Sequence, residues 1–124
     1  MPVVCNYCGK HAKRVYGSKI YPNRPDLKSL VFFECEPCDA RVGTHKNSLK
    51  PLGRLANAEL RAARSLAHEA FDPLWRNGEM HRNLAYQWLA DNLGISRKKC
   101  HIAMFDIDLC QRTVELCREL RRLS

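Results

Sequence analysis

Cys5-Asn-Tyr-Cys8-Gly9 and, further along, Cys35-Glu-Pro-Cys38-Asp39 decide how this chain is read. Each is a Cys-x-x-Cys pair in a stretch where a tight turn is easily built. In the first, Gly9 follows the second cysteine, where the backbone often needs a positive φ that glycine reaches without steric penalty. Two intervening residues let one turn aim both sulfurs at one point. Two such turns facing each other supply the four thiolates that Zn²⁺ takes in closed, tetrahedral structural sites. The 26 residues between Cys8 and Cys35 leave room for a hairpin and a returning strand. The spacing therefore predicts one Zn²⁺ per chain, held by Cys5, Cys8, Cys35 and Cys38. Iron in the same four-thiolate geometry stays open, because the ligands do not tell the two metals apart.

A disulfide framework fits less well. Met1-Pro-Val-Val runs at once into the first pair, with no secretory leader ahead of it, and the seven cysteines are an odd number. The expectation is a reducing compartment, the cytoplasm. A thioredoxin-like redox pair wants a βαβ setting, and polar, turn-rich sequence follows Cys8 instead.

The 124 residues suffice for one ordinary domain or two very small ones sharing a core. We expect an α+β chain: a zinc ribbon over residues 1–48, then a three-helix body over 49–124 with a helix-turn-helix-like corner, the two packed as one unit. The ribbon holds few large apolar side chains, so its metal is expected to supply much of the folding free energy, about 10 kcal/mol in small zinc modules. No apolar run approaches the length of a membrane span.

The formal charge is +8 from 21 basic and 13 acidic residues, and four thiolates with one Zn²⁺ bring it to +6. Residues 1–56 carry ten Lys/Arg against four Asp/Glu, and 57–124 carry eleven against nine. That surplus favours nucleic acid as partner over a membrane surface, for which no basic amphipathic helix with an aromatic face is present.

Between the cysteine pairs, Lys13-Arg-Val-Tyr16 and Lys19-Ile-Tyr21 flank Gly17-Ser18, which reads as a hairpin. Pro22-Asn-Arg-Pro25-Asp26 must be a loop, since two prolines in four residues forbid a ladder. Leu30-Val-Phe-Phe-Glu34 reads as a strand entering the second pair and Ala40-Arg-Val-Gly-Thr44 as one leaving it. Lys10, Lys13, Arg14, Lys19, Arg24 and Lys28 are interleaved with Tyr16 and Tyr21, a combination that suits phosphates and unstacked bases. A solvated ribbon surface with the tyrosines packed in its small core explains the same residues. His45 is read as surface polar, because four thiolates leave it no coordination position.

From Asn57, a candidate N-cap, the period turns helical. Leu60, Ala63, Ala67, Phe71 and Leu74 line one face at steps of three and four. Arg61, Arg64 and His68 line another, either a track for a phosphate backbone or a solvated face. Asp72-Pro73 is expected to end this helix, leaving Pro73–Gly78 as a turn that anchors Trp75. A second helix is expected from about Glu79 to Leu93, with Leu84, Trp88, Leu89 and Leu93 inward and Gly94 closing it. Arg97, Lys98 and Lys99 then stand where a recognition helix would begin and touch bases. An αα-corner with a basic turn uses the same Leu-Gly-Ile pattern. The last helix is expected to open at Asp108, with Gln111 as capping-box partner.

For catalysis, His101 with Asp106 and Asp108 is the best constellation, a set able to hold a metal for phosphodiester cleavage. Cys100, His101 and Cys110 are a conceivable second zinc site. No phosphate loop, nucleophile elbow or zincin motif accompanies them, and a binding role is preferred to a metal-dependent nuclease.

The Cys5/Cys8-Gly9 pair, Cys35-Glu-Pro-Cys38-Asp-Ala-Arg-Val-Gly-Thr-His-Lys46 and Pro51-Leu-Gly-Arg-Leu-Ala-Asn-Ala-Glu-Leu-Arg61 resemble the small zinc-finger-containing proteins encoded by phages and prophages. So do Ala67-His-Glu-Ala-Phe-Asp-Pro-Leu-Trp75 and Cys100-His-Ile-Ala-Met-Phe-Asp106. The resemblance implies a zinc-ribbon head on a helical body, with the four named cysteines as ligands, and implies no activity. It adds a host replication or transcription factor as an alternative partner. The function expected is thus a zinc-dependent, non-catalytic nucleic-acid-binding module, DNA before RNA, with a protein–protein adaptor or inhibitor as the alternative.

Overall fold

Three antiparallel strands lie side by side in sequence order: β1 (Lys13–Tyr16), β2 (Val31–Cys35) and β3 (Ala40–Gly43). Val15, Tyr16, Val31, Phe32, Phe33 and Val42 dominate them, the β-branched and aromatic residues that a half-buried pleated surface favours. The register sets Lys13 opposite Glu34 and Arg14 opposite Phe33, then Phe33 opposite Val42 and Cys35 opposite Ala40. Side chains alternate along a strand. Arg14, Phe33 and Val42 therefore share one face, and Lys13, Glu34 and Arg41 the other.

The computed structural model describes residues 2–123, and the chain passes from one compact unit to a second between Ala58 and Glu59. Residues 49–56, grouped with the helices on sequence grounds, return to the strands. Thr44 bridges Pro51, and Arg41 and Ala56 exchange backbone hydrogen bonds of 3.0 and 2.9 Å. The core of this first unit is small: Cys5, Cys35, Ala40 and Leu55 are buried, with Val3, Ala12 and Val42 against them.

The hairpin expected across Gly17-Ser18 does not form. Gly17–Ile20 is instead a single helical turn, α1, and β1 pairs with β2 across residues 17–30. Gly17 is the reason. Its N–H donates to the Leu30 carbonyl at 2.8 Å, and a Cβ there would run into the carbonyl of Leu27. The long connection can fold back onto the strand end because this residue has no side chain. Tyr21, at its start, packs edge-on to Phe32 with ring centres 5.8 Å apart, beneath the guanidinium of Arg41.

The second unit contains all but the first residue of α2 (Ala58–Phe71), the one-turn α3 (Pro73–Arg76), α4 (Arg82–Leu93) and α5 (Ile107–Leu123). Phe71, Tyr86, Leu89, Ile102 and Phe105 are among its buried residues. α2 ends at Phe71, as the Asp72-Pro73 pair led us to expect, but Asp72 does not turn the chain away from the helical path. It keeps α-helical angles (φ −58°, ψ −33°), and its N–H donates to the His68 carbonyl at 2.8 Å, so α3 follows directly. This conformation is sterically disfavoured before a proline; the Asp72 carboxylate lies 3.2 Å from His68 and 3.7 Å from Arg76. Trp75, expected as an anchor, is partly buried against the core.

Leu84, expected to face inward, is 64% exposed. Steps of four put Ala85, Leu89 and Leu93 on the inner face of α4, and Leu84 lies one step of about 100° away from that row. Gly94 closes α4 in the left-handed region (φ 73°), as expected, and Ile95 packs behind it. The helix-turn-helix reading stops there. Arg97–Lys99 is one 3₁₀ turn, Ile102–Met104 another, and no long helix resumes before Ile107. Cys100 and Ile102 are both buried and draw this stretch into the core, so the three cations open no recognition helix.

Asp106, not Asp108, caps α5: its Oδ1 accepts from the N–H of Leu109 at 2.8 Å. Asp106→Ala is expected to cost about 1 kcal/mol in a denaturant titration, and Asp108→Ala distinctly less. Equal losses would contradict this cap.

Candidate metal centre

The first cysteine pair sits in a knuckle closed by its own backbone. The N–H of Gly9 donates to the Cys5 carbonyl and that of Cys5 to the Lys10 carbonyl, both at 2.8 Å. Gly9 has φ 78°, the conformation its place in the sequence suggested. The second knuckle leaves the end of β2, where Cys35 pairs with Ala40 across the turn. Asp39 follows Cys38 at φ 49° and takes the role that Gly9 plays in the first knuckle. Aspartate is among the few side chains that tolerate this region.

The four sulfurs of Cys5, Cys8, Cys35 and Cys38 all lie within 4.8 Å of one another, and Cys8 Sγ is 3.6 Å from Cys35 Sγ. A tetrahedron with Zn–S bonds of about 2.3 Å has S···S edges of about 3.8 Å. The cluster is thus sized for one Zn²⁺. Four protein thiolates complete the coordination, as in a structural site. Cys5 and Cys35 are buried, Cys38 half-buried and Cys8 exposed, so the site is lodged in the small core and open at one edge.

Electrostatics point the same way. Burial opposes ionisation of Cys5, yet the N–H groups of Tyr7 and Cys8 and the thiols of Cys35 and Cys8 bring it down to about 7. Cys38 is pushed up to about 12 by burial and by its contacts with Cys35, Cys8 and Cys5. One thiol of the set ionises readily and another resists, because burial first and then the neighbouring thiols disfavour a further negative charge. A dication at the centre removes that conflict.

Among the described residues, these cysteines are the one group of three or more potential ligands gathered at a single point. His101, Asp106 and Asp108 form no such group, nor do Cys100, His101 and Cys110. Burial pushes Cys110 and Cys117 up to about 11 and raises Cys100 as well, so all three behave as small apolar side chains.

The basic residues singled out in the sequence fall into distinct situations. Lys19 is paired with Glu34 at 2.8 Å and Glu36 at 3.4 Å, and Arg24 with Asp26 through bonds of 2.8 and 3.0 Å. Arg61 and Arg64 are half-buried, and Arg64 donates to the Phe105 carbonyl at 3.0 Å. Arg97 donates to the Cys100 carbonyl and the Asn83 side chain, both at 3.4 Å. Lys10, Lys13, Arg14, Lys98 and Lys99 are exposed. Arg14 lines a hollow of about 730 Å³ with His11, Phe33, Leu49 and Lys50, and no carboxylate among the described residues lines it. Sequence reading missed His11, Phe33 and Lys50. The strand register that sets Arg14 beside Phe33 was the available signal.

No helix among the described residues is long and apolar enough to cross a membrane. A family model described as a zinc-finger-containing domain matches residues 1–120. No curated protein and no solved structure matches the chain. With a tetrathiolate cluster sized for one Zn²⁺ and a match over nearly its whole length, the chain belongs to the zinc-finger-containing domain family.

Proposed function

We propose that this protein is a zinc-stabilised nucleic-acid-binding module whose first unit contacts the phosphate backbone. The observation that carries the reading is the hollow lined by Arg14, Lys50, His11 and Phe33, with no carboxylate among its described lining residues, and with Lys10 and Lys13 exposed nearby in the chain. Cations beside an aromatic ring suit phosphates and unstacked bases. Lys19 and Arg24 contribute less, since their own carboxylate partners compete with phosphate. The likeness to phage-encoded proteins favours DNA in a bacterial cytoplasm as the setting.

The test is Lys10→Glu, Lys13→Glu and Arg14→Glu combined, with binding to DNA and RNA measured at about 0.1 M salt, where the Debye length is near 10 Å. Affinity is expected to fall at least about tenfold on all sequences alike, because phosphate contacts position a protein without reading bases. The slope of log K against log salt should drop by about 0.9 per lost contact on duplex and about 0.7 on single strands. Unchanged affinity overturns the reading.

A second reading has its own observation. Leu30 and Leu49 are about half exposed and share a hollow with Val31, Thr44 and residues 45–48. Exposed leucines at a hollow otherwise lined largely by polar side chains suit a protein–protein adaptor or inhibitor of a host replication or transcription factor. A stoichiometric host protein captured from lysate and unaffected by nuclease would favour it.

A further inference from the structure

The second unit carries a charged surface of which the sequence reading singled out Arg97, Lys98 and Lys99 but not Arg82. Two guanidinium groups stand over the ring of the buried Tyr86: Arg82 at 5.1 Å from its centre and Arg97 at 5.0 Å. Arg82 also lies 5.5 Å from the Trp75 ring, which Arg76 flanks at 5.3 Å. The two arginines come from different elements, the first turn of α4 and the 3₁₀ turn after Gly94. The fold, not local sequence, brings them together.

Two features set this pair apart from ordinary surface arginines. Among the described residues neither has a carboxylate partner: Arg82 makes only its ring contacts there, and the acceptors of Arg97 are the neutral Cys100 carbonyl and Asn83 side chain. The nearby carboxylate, Asp72, is engaged by His68 and Arg76. Moreover, Arg82 is the first residue of α4, and no acidic residue occupies that turn. A cation at the positive end of a helix is disfavoured by the backbone dipole, so helix stability does not explain it. Two like charges over one ring, one of them against a helix dipole, are complemented by an anion. A guanidinium carries paired N–H groups in the fork that matches phosphate oxygens, and the two acceptors of Arg97 hold it only at 3.4 Å.

We propose that Arg82 and Arg97, oriented by Tyr86 and Asn83, form a phosphate clamp for a nucleic-acid backbone. The exposed Lys98 and Lys99 extend it along the strand. This rests on the nucleic-acid reading above and assigns to it a second contact surface. Tyr86 is buried beneath the guanidiniums, so the clamp holds phosphates and reads no bases.

The experiment compares binding of single-stranded DNA, RNA and duplex DNA of one sequence by the full zinc-loaded chain and three double variants. Arg82→Gln with Arg97→Gln is expected to lose at least about tenfold in affinity, since each lost charge-assisted hydrogen bond is itself worth about that much. Arg82→Lys with Arg97→Lys keeps the charge and loses the fork, and should lose most of the same affinity. Arg118→Gln with Arg122→Gln changes net charge equally and should stay within about threefold of the parent. Zinc content and thermal melts confirm that each variant is folded. Whichever nucleic acid shows the loss identifies the source of the phosphates. Folded glutamine variants that bind like the Arg118/Arg122 control overturn the clamp and leave the ribbon contact standing. A parent protein that binds none of the three probes overturns both.

Discussion

Cys35→Ser is expected to abolish zinc binding and to unfold the first unit while the helices after Glu59 keep their far-UV signal. Cys35 is at once a ligand, the last residue of β2 and part of the small core. Structural zinc contributes about 10 kcal/mol in modules of this kind, comparable to the whole stability of an ordinary domain. So small a core, with Cys5, Cys35, Ala40 and Leu55 at its centre, cannot replace it. Cys5→Ser, Cys8→Ser and Cys38→Ser should behave alike, whereas Cys100→Ser, Cys110→Ser and Cys117→Ser should keep one zinc per chain. Elemental analysis of the seven variants decides this, and zinc loss at Cys100 or Cys110 would defeat the single-site assignment. Affinity for zinc should also rise with pH. Protons compete for the thiolates, and burial and its neighbouring thiols push Cys38 up to about 12, so its proton must be displaced at neutrality.

Gly17→Ala is the second large effect. A methyl group at this buried position meets the Leu27 carbonyl, which is backbone and cannot rotate aside. Either the 17–30 connection lifts away, losing the Gly17–Leu30 hydrogen bond, or the end of β1 moves. A loss of about 3 kcal/mol or more is expected, in the range reserved for overpacking and strain. Gly53→Ala, with open space around its Cβ position, is the matched control and should change the denaturant midpoint little. Equal stability of the two variants would contradict the close approach.

The parts legible in the sequence were those carried by local signals. Cys-x-x-Cys spacing marked all four members of the cluster, Gly94 marked the end of α4, and the apolar steps from Leu60 to Phe71 marked α2. What went astray depended on distant neighbours. Gly17 looks like a hairpin glycine until the carbonyl of Leu27 is brought against it. Asp106 and Asp108 are both plausible caps, and only the observed start of α5 chooses between them. Arg97, Lys98 and Lys99 look like the start of a helix because the sequence does not show that Cys100 and Ile102 are pulled inward. Lys19 and Arg24 count as available cations until Glu34, Glu36 and Asp26 are seen beside them. Arg82 drew no notice at all, since its position against a helix dipole becomes meaningful only with Arg97 over the same ring.

The connection from Gly17 to Leu30 also sets an order of assembly. Each knuckle closes through hydrogen bonds between near neighbours, but bringing Cys5 and Cys8 to Cys35 and Cys38 requires closing a loop of 26 residues. A cation held first by one pair meets the other at an effective concentration fixed by that loop, in the millimolar range for short flexible tethers. Pairing of β1 with β2 and capture of the second pair are then one event, each shortening the search for the other. Loop-closure entropy grows slowly, about 0.6 kcal/mol for each doubling of length. Extra residues among the exposed positions 22–26 therefore delay assembly only slightly, whereas one residue added inside either Cys-x-x-Cys turn removes the bidentate start on which the sequence of events depends.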